Sequence, residues 1–193
     1  MISVKAYENL PVDTREIMRY MGCPEPNPQT EELIADCLSE CSETLKYRVC
    51  FDKFPVFISD ASVKLPFAET ESQSLSRHLA GFSEAVIFAA TVGIGLDRLI
   101  MKYSRLSPSR AVCLQAIGAE RIEALCDAFC DELKSDFAAT SPRFSPGYGD
   151  FSINFQTEIF KALDCPRKIG LSLNSALLMS PSKSVTAIVG VKQ

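Results

Sequence analysis

Tryptophan is absent, histidine occurs once, and no basic run interrupts a chain in which 24 acidic residues outnumber 20 basic ones. A net charge of −4 gives no long-range attraction to nucleic acid or to an anionic lipid surface, so neither is expected as a partner. The lone histidine, His78, excludes a histidine-based metal centre and a serine–histidine–acid triad, and no G-x-S-x-G elbow is present. Long hydrophobic runs are also missing. The longest, Ala85 to Gly95, is too short to span a bilayer and reads as a buried strand with its exit turn. The start, Met1-Ile-Ser-Val-Lys-Ala-Tyr7, lacks the layout of a secretory signal, so a cytoplasmic protein is expected.

Cysteine, by contrast, is plentiful, with eight residues. Cys37/Cys41 and Cys126/Cys130 are each four apart, along one face of a helix, and none forms the short C-x-x-C knuckle of a zinc ribbon. Thiols in a reducing compartment act as small apolar core residues, and no metal site is expected. At 193 residues, with 47% apolar and 23% charged residues, the chain suits a single domain with a core of its own.

Periodicity divides that domain into a helical N-terminal region, residues 1–45, and a core, residues 46–193. Asp13 or Thr14 can cap a helix running to Met21 with Gly22 as its stop. After the proline-rich break Pro24–Pro28, a second helix from near Thr30 sets Leu33, Ile34, Cys37, Leu38, Cys41 and Leu45 on one stripe. From Tyr47 to Phe67 short β runs, Val56–Ile58 and Ser62–Leu65, predict a meander. A short helix over Ser72–Ala80, a central strand over Glu84–Val92 and a helix over Leu96–Tyr103 follow. The longest helix is expected from Ser107 to Phe137, with Pro108 in its first turn and an apolar stripe that includes Val112. Gly118 within it implies close packing at that point. A helix over Ile153–Leu163 and two strands, Lys168–Leu173 and Ser184–Val191, complete the chain. Clustered strands and clustered helices predict an α+β fold, a twisted antiparallel sheet packed with helices.

Two features carry little chemistry. Thr91-Val-Gly-Ile-Gly-Leu-Asp-Arg98 resembles a phosphate-binding turn, but it lacks a third glycine and a βαβ context, so a tight turn opening a helix is the better reading. Glu120, Glu123, Asp127 and Asp131 recur at helical spacing, which most often makes a solvated face. The strongest local feature is the loop at residues 141–150, with Arg143-Phe-Ser-Pro-Gly-Tyr-Gly-Asp150 at its heart. Pro146 stiffens it, Gly147 and Gly149 permit positive φ and close ligand approach, Tyr148 offers a flat face, and Arg143 offers a fork for a carboxylate. That combination suits a ligand with an amino-acid tail and an adenosine.

Arg143-x-x-x-Gly147-Tyr148 resembles the R-x-x-x-G-Y signature with which the reactivation domain of cobalamin-dependent methionine synthase holds S-adenosylmethionine. Ile169-Gly-Leu-Ser-Leu-Asn-Ser-Ala-Leu-Leu-Met179-Ser-Pro181-Ser-Lys-Ser184-Val185 is similar to that domain's G-x-x-L-T-x-S-x-x-M-x-P-x-x-S-V segment, in the same order and spacing. A further block, Ala90–Ile100 through Leu114–Leu125, looks like short free-standing members of the family. The resemblance implies a site of Arg143, Pro146, Gly147 and Tyr148 with a helix carboxylate, Glu123 or Asp127. It also implies a partner, either the cobalamin-carrying core of a methionine synthase or another corrinoid protein, and a flavodoxin-type reductant. In such a system the protein supplies proximity and orientation and needs no catalytic base of its own. The expected role is a module acting in trans, with S-adenosylmethionine bound and cobalamin held by the partner; the alternative is a docking protein that has lost the ligand. A small-molecule methyltransferase of another type is disfavoured by the missing glycine-rich βα fingerprint. This chain departs from the family after the tyrosine, where Gly149-Asp-Phe-Ser-Ile-Asn154 replaces Pro-x-Cys-Pro-x-His, and in its final residues.

Overall fold

A computed structural model describes residues 1–23, 25 and 27–193. The proline-rich break is thus described only in part, with Pro24 and Pro26 outside the described residues. Along these residues run β1 (Ser3–Tyr7), α1 (Thr14–Tyr20), α2 (Pro28–Cys41), β2 (Tyr47–Pro55), β3 (Phe57–Ser59), β4 (Ser62–Leu65), β5 (Ala68–Glu71) and α3 (Gln73–His78). There follow β6 (Glu84–Thr91), α4 (Ile94–Leu106), α5 (Pro108–Asp136), β7 (Ala139–Thr140), α6 (Phe155–Leu163), α7 (Cys165–Ile169), β8 (Ser172–Leu173), β9 (Met179–Ser180) and β10 (Ser184–Lys192). The fold is α+β, as the clustering of elements predicts.

The main sheet is antiparallel, in the order β1-β2-β6-β10-β7, with β6 at its centre. Helices cover one face, and α6, α7, α3 and the β3–β5 meander cover the other. Burial on both faces is why Ala85–Ala90 reads as an unbroken apolar run instead of alternating with polar residues. Val86, Phe88 and Ala90 enter the helical layer, while Ala85, Ile87 and Ala89 enter the other. Six of the eight cysteines are buried, the expected behaviour of thiols used as small apolar residues.

The local signals place several boundaries well. Asp13 caps α1 by accepting from the N–H groups of Arg15 and Glu16, and Asn27 caps α2 with Pro28 at its first position. Gly118 is as close-packed as expected, since a Cβ there would lie 2.6 Å from Leu96 Cδ2 and 2.8 Å from Lys183 Cγ. The glycine-rich turn is occupied by the protein itself. Gly93 takes φ +87° ahead of α4, and a Cβ on Gly95 would lie 2.6 Å from the Thr44 carbonyl oxygen.

Three expectations need correction. Residues 1–45 are not wholly helical, because Ser3–Tyr7 forms an edge strand paired residue for residue with Phe51 back to Tyr47. Four of its five residues are exposed, so it carries no apolar pattern to announce it. Lys168–Leu173 is not a strand of the sheet: Cys165–Ile169 is helical, Gly170 ends that helix at φ +70°, and only Ser172–Leu173 pairs, with Met179–Ser180. Val112 is not on the buried stripe of α5; it is half exposed.

Candidate functional site

The site is built where the longest helix passes under the edge of the sheet. At 29 residues α5 is about 43 Å long. Leu114, Ile117, Leu125, Phe129 and Leu133 fix its orientation by packing on the sheet. The carboxylates on its other flank then have separate fates. Glu120 is buried beside Arg121, Asp131 is exposed and paired with Lys134, and Glu123 and Asp127 both pair with Arg143. A uniformly solvated face, the expectation from spacing, is therefore wrong for Glu120.

Arg143 is held by β geometry despite lying in a loop. The segment after β7 stays against β10: Ser141 N–H donates to Gly190 O at 2.9 Å, and Phe144 exchanges N–H···O bonds of 2.9 Å with Ile188. Alternation along this extended stretch sends Phe144 into the layer of His78, Tyr148 and Phe151 and sends Arg143 towards α5. The guanidinium donates to Asp127 Oδ1 at 3.0 Å and to Glu123 Oε2. Burial opposes the Arg143 charge, but the adjacent Glu123 and Asp127 carboxylates outweigh it and raise the pKa, so the group stays cationic. Burial pushes the Cys126 thiol up as well, leaving it neutral beside the site.

The loop beyond is braced from two sides. Gly147, at φ +96°, donates its N–H to Phe151 O at 2.8 Å and closes a turn that presents Tyr148, which is 55% exposed, at the surface. Asp150 then anchors the loop to the start of α3, accepting from Ser72 Oγ at 2.6 Å and from the N–H groups of Gln73 (2.9 Å) and Ser74 (3.0 Å). The Ser72 hydroxyl and the Ser74 N–H hold its carboxyl far below the usual carboxylate range. Gly149 lies so close to Ser74 that a Cβ would be 2.5 Å from its hydroxyl. The departure Gly149-Asp150 thus has a structural account: it ties the loop to α3.

Of the residues expected to form a site, Arg143, Pro146, Tyr148 and Glu123 line one cleft of 230 Å³ with Gln156, Met179 and the start of β10. Gly147 shapes the turn but does not line the cleft. At 230 Å³ the cleft is smaller than a nucleoside-sized ligand requires. Glu123 and Asp127 also border a groove of 730 Å³ between α5 and the segment leading into α1, where Pro11, Val12, Asp13, Glu16 and Tyr20 form the far wall. The groove falls within the ordinary ligand-pocket range. The N-terminal wall had no counterpart in the sequence reading, because only tertiary packing sets residues 11–20 opposite residues 120–131.

The Arg143 cluster can do one chemical task well. A guanidinium flanked by two carboxylates matches a zwitterionic amino-acid terminus, its carboxylate on the fork and its ammonium on Glu123 or Asp127. With charges of +1, −1 and −1 the cluster carries a net negative charge, which also suits a cationic ligand. Among the described residues no group of three or more His, Cys, Asp or Glu side chains is placed to hold a metal ion, and no helix is long and apolar enough to cross a membrane.

No protein-family model matches the chain, and no curated protein matches its sequence. Solved structures match its fold. A crystal structure described as the MetH reactivation domain bound to AdoHcy aligns with a TM-score of 0.78, over 99% of this chain and 78% of that one, at 13% identity. This is the MetH reactivation-domain fold. At that level of identity the likeness is one of architecture. What the reactivation-domain fold contributes to the site is the crossing of α5 under β10 and the β7–α6 loop, which together bring Glu123, Asp127 and Arg143 into contact.

Proposed function

We propose that this protein is an S-adenosylmethionine-binding reactivation module that serves a corrinoid-carrying partner in trans. One observation carries the reading most: Arg143, paired with Glu123 and Asp127, matches a zwitterionic amino-acid tail, with Arg143 and Glu123 lining the loop cleft and Glu123 and Asp127 bordering a groove large enough for the rest of such a ligand. The solved structure that shares the fold is described as bound to AdoHcy, a molecule with that same tail. In this reading Arg143 takes the ligand carboxylate, Glu123 the ammonium, and Tyr148 and Pro146 the flank of the ligand, while Gly147 and Asp150 hold the loop in shape. Cobalamin, carried by a methionine synthase core or another corrinoid protein, would accept the methyl group, with a flavodoxin-type protein supplying the electron. The chain's own share is binding and orientation, worth several kcal/mol when reacting groups are held in line.

A second reading, a docking module that no longer binds the ligand, draws on the two ion pairs that already neutralise Arg143. Titration calorimetry with S-adenosylmethionine decides between them. Binding by the wild type that Tyr148→Ala weakens supports the first reading. No heat at millimolar ligand, alone and with a corrinoid protein present, leaves the second.

A further inference from the structure

Among the described residues Arg121 is the largest fully buried side chain, and the ligand reading does not use it. Its partner is its chain neighbour. Successive helix residues point about 100° apart and do not normally face each other. Here Arg121 Nε donates to Glu120 Oε2 at 2.5 Å, with a second contact from its terminal nitrogen to Glu120 Oε1. Both side chains converge because both reach the same strap of chain, residues 8–13, which runs from edge strand β1 to α1. Arg121 donates to Leu10 O at 2.9 Å and to Pro11 O, and Glu120 Oε1 accepts from Asp13 N–H at 3.0 Å. A buried ion pair is weak evidence of stabilisation, since desolvation opposes its attraction. This one satisfies three backbone groups of the strap, the carbonyls of Leu10 and Pro11 and the N–H of Asp13.

Pro11, Val12 and Asp13 form one wall of the 730 Å³ groove, and Asp13 caps α1, which supplies Glu16 and Tyr20 to the same wall. We infer that the buried Glu120–Arg121 pair is a positioning device: it fastens the N-terminal strap across α5 and so sets the width of the ligand groove. Arg121 acts through the strap, whereas Glu120 fastens the strap and also borders the groove beside Glu123. The ligand half of this inference rests on the S-adenosylmethionine reading; the fastening half does not.

The test uses the full chain and the double variant Glu120→Gln/Arg121→Met. It removes both charges together, so no charge is left buried alone, and the introduced amide keeps an acceptor for the Asp13 N–H. Limited trypsin digestion is followed at Arg15 and Arg19, both exposed on α1, with and without S-adenosylmethionine, and affinity is measured by calorimetry. The expected results are cleavage at these sites at least tenfold faster in the variant, affinity at least tenfold weaker, and ligand protection of Arg15 and Arg19 in the wild type that the variant loses. A merely structural pair would not make protection at these two sites ligand-dependent. Unchanged cleavage overturns the fastening role. Faster cleavage with unchanged affinity overturns the link to the groove. Should the double variant not fold, Val12→Arg, an exposed position on the wall, is expected to weaken binding at least tenfold, and wild-type affinity there overturns the proposal. A wild type that binds no S-adenosylmethionine refutes the ligand reading, and the cleavage rates then decide the fastening role alone.

Discussion

Arg143→Ala is expected to separate binding from stability. Glu123 and Asp127, the carboxylates it would leave unpaired, are 41% and 69% exposed, so water can take over their solvation. Ion pairs of that kind contribute about 0–1 kcal/mol to folding. For a chain of this length that is a fall in melting temperature of roughly 2–4 °C at most. Binding should respond differently, because the guanidinium is only 24% exposed and a bound ligand would cover it further. Truncating one partner of a desolvated charge pair costs about 2–4 kcal/mol, roughly a 30- to 1000-fold rise in Kd. Calorimetry with S-adenosylmethionine alongside thermal melting reads both quantities. Arg143→Lys keeps the charge but cannot fork between two groups, and it should fall between wild type and alanine. An alanine variant whose affinity stays within about threefold of wild type would refute the assignment of the amino-acid tail to this cluster.

Three further outcomes follow from the packing. Gly149→Ala places a side chain at φ +56° and 2.5 Å from Ser74 Oγ, so a loss of at least about 1–2 kcal/mol, a few degrees in melting temperature, is expected, and an unchanged melt would sink the account of the loop. Asp150 has a depressed folded pKa, so its stabilising share is full above the unfolded carboxylate value of about 3.9 and is lost as pH falls towards the lower folded value. The stability gap between wild type and Asp150→Asn should accordingly shrink from pH 7 to pH 3 in denaturant titrations, and a constant gap would contradict the anchoring role. Phe88→Ala empties a fully buried position whose ring lies 4.9 Å from that of Phe129, and should cost about 3–5 kcal/mol, whereas Phe57→Ala, at 66% exposure, should stay within about 0.5 kcal/mol in the same assay.

Much of the architecture was legible because its signals are local. Pro108 at the head of α5, Asp13 at the head of α1 and the two-face burial of Glu84–Thr91 all follow from neighbours along the chain. The loop carrying Arg143, Gly147 and Tyr148 announced itself through its own glycines and proline. Edge strand β1 did not, since its pairing with β2 draws on residues forty or more positions away and four of its five residues are exposed. Nor did α7, where Pro166 in the first turn and Gly170 at the end bound a five-residue helix too short to show a period.

By itself, then, the sequence determined the fold class, the run of most helices, the central strand and the turn-forming make-up of the arginine loop, because backbone propensity, capping and apolar period act over a few residues. Only the tertiary structure decided that Arg143 meets Glu123 and Asp127, that Glu120 is buried beside Arg121 while Asp131 stays in water, and that residues 11–20 wall the groove. Those facts depend on where α5 crosses the sheet edge, and that crossing is set by the whole packed core.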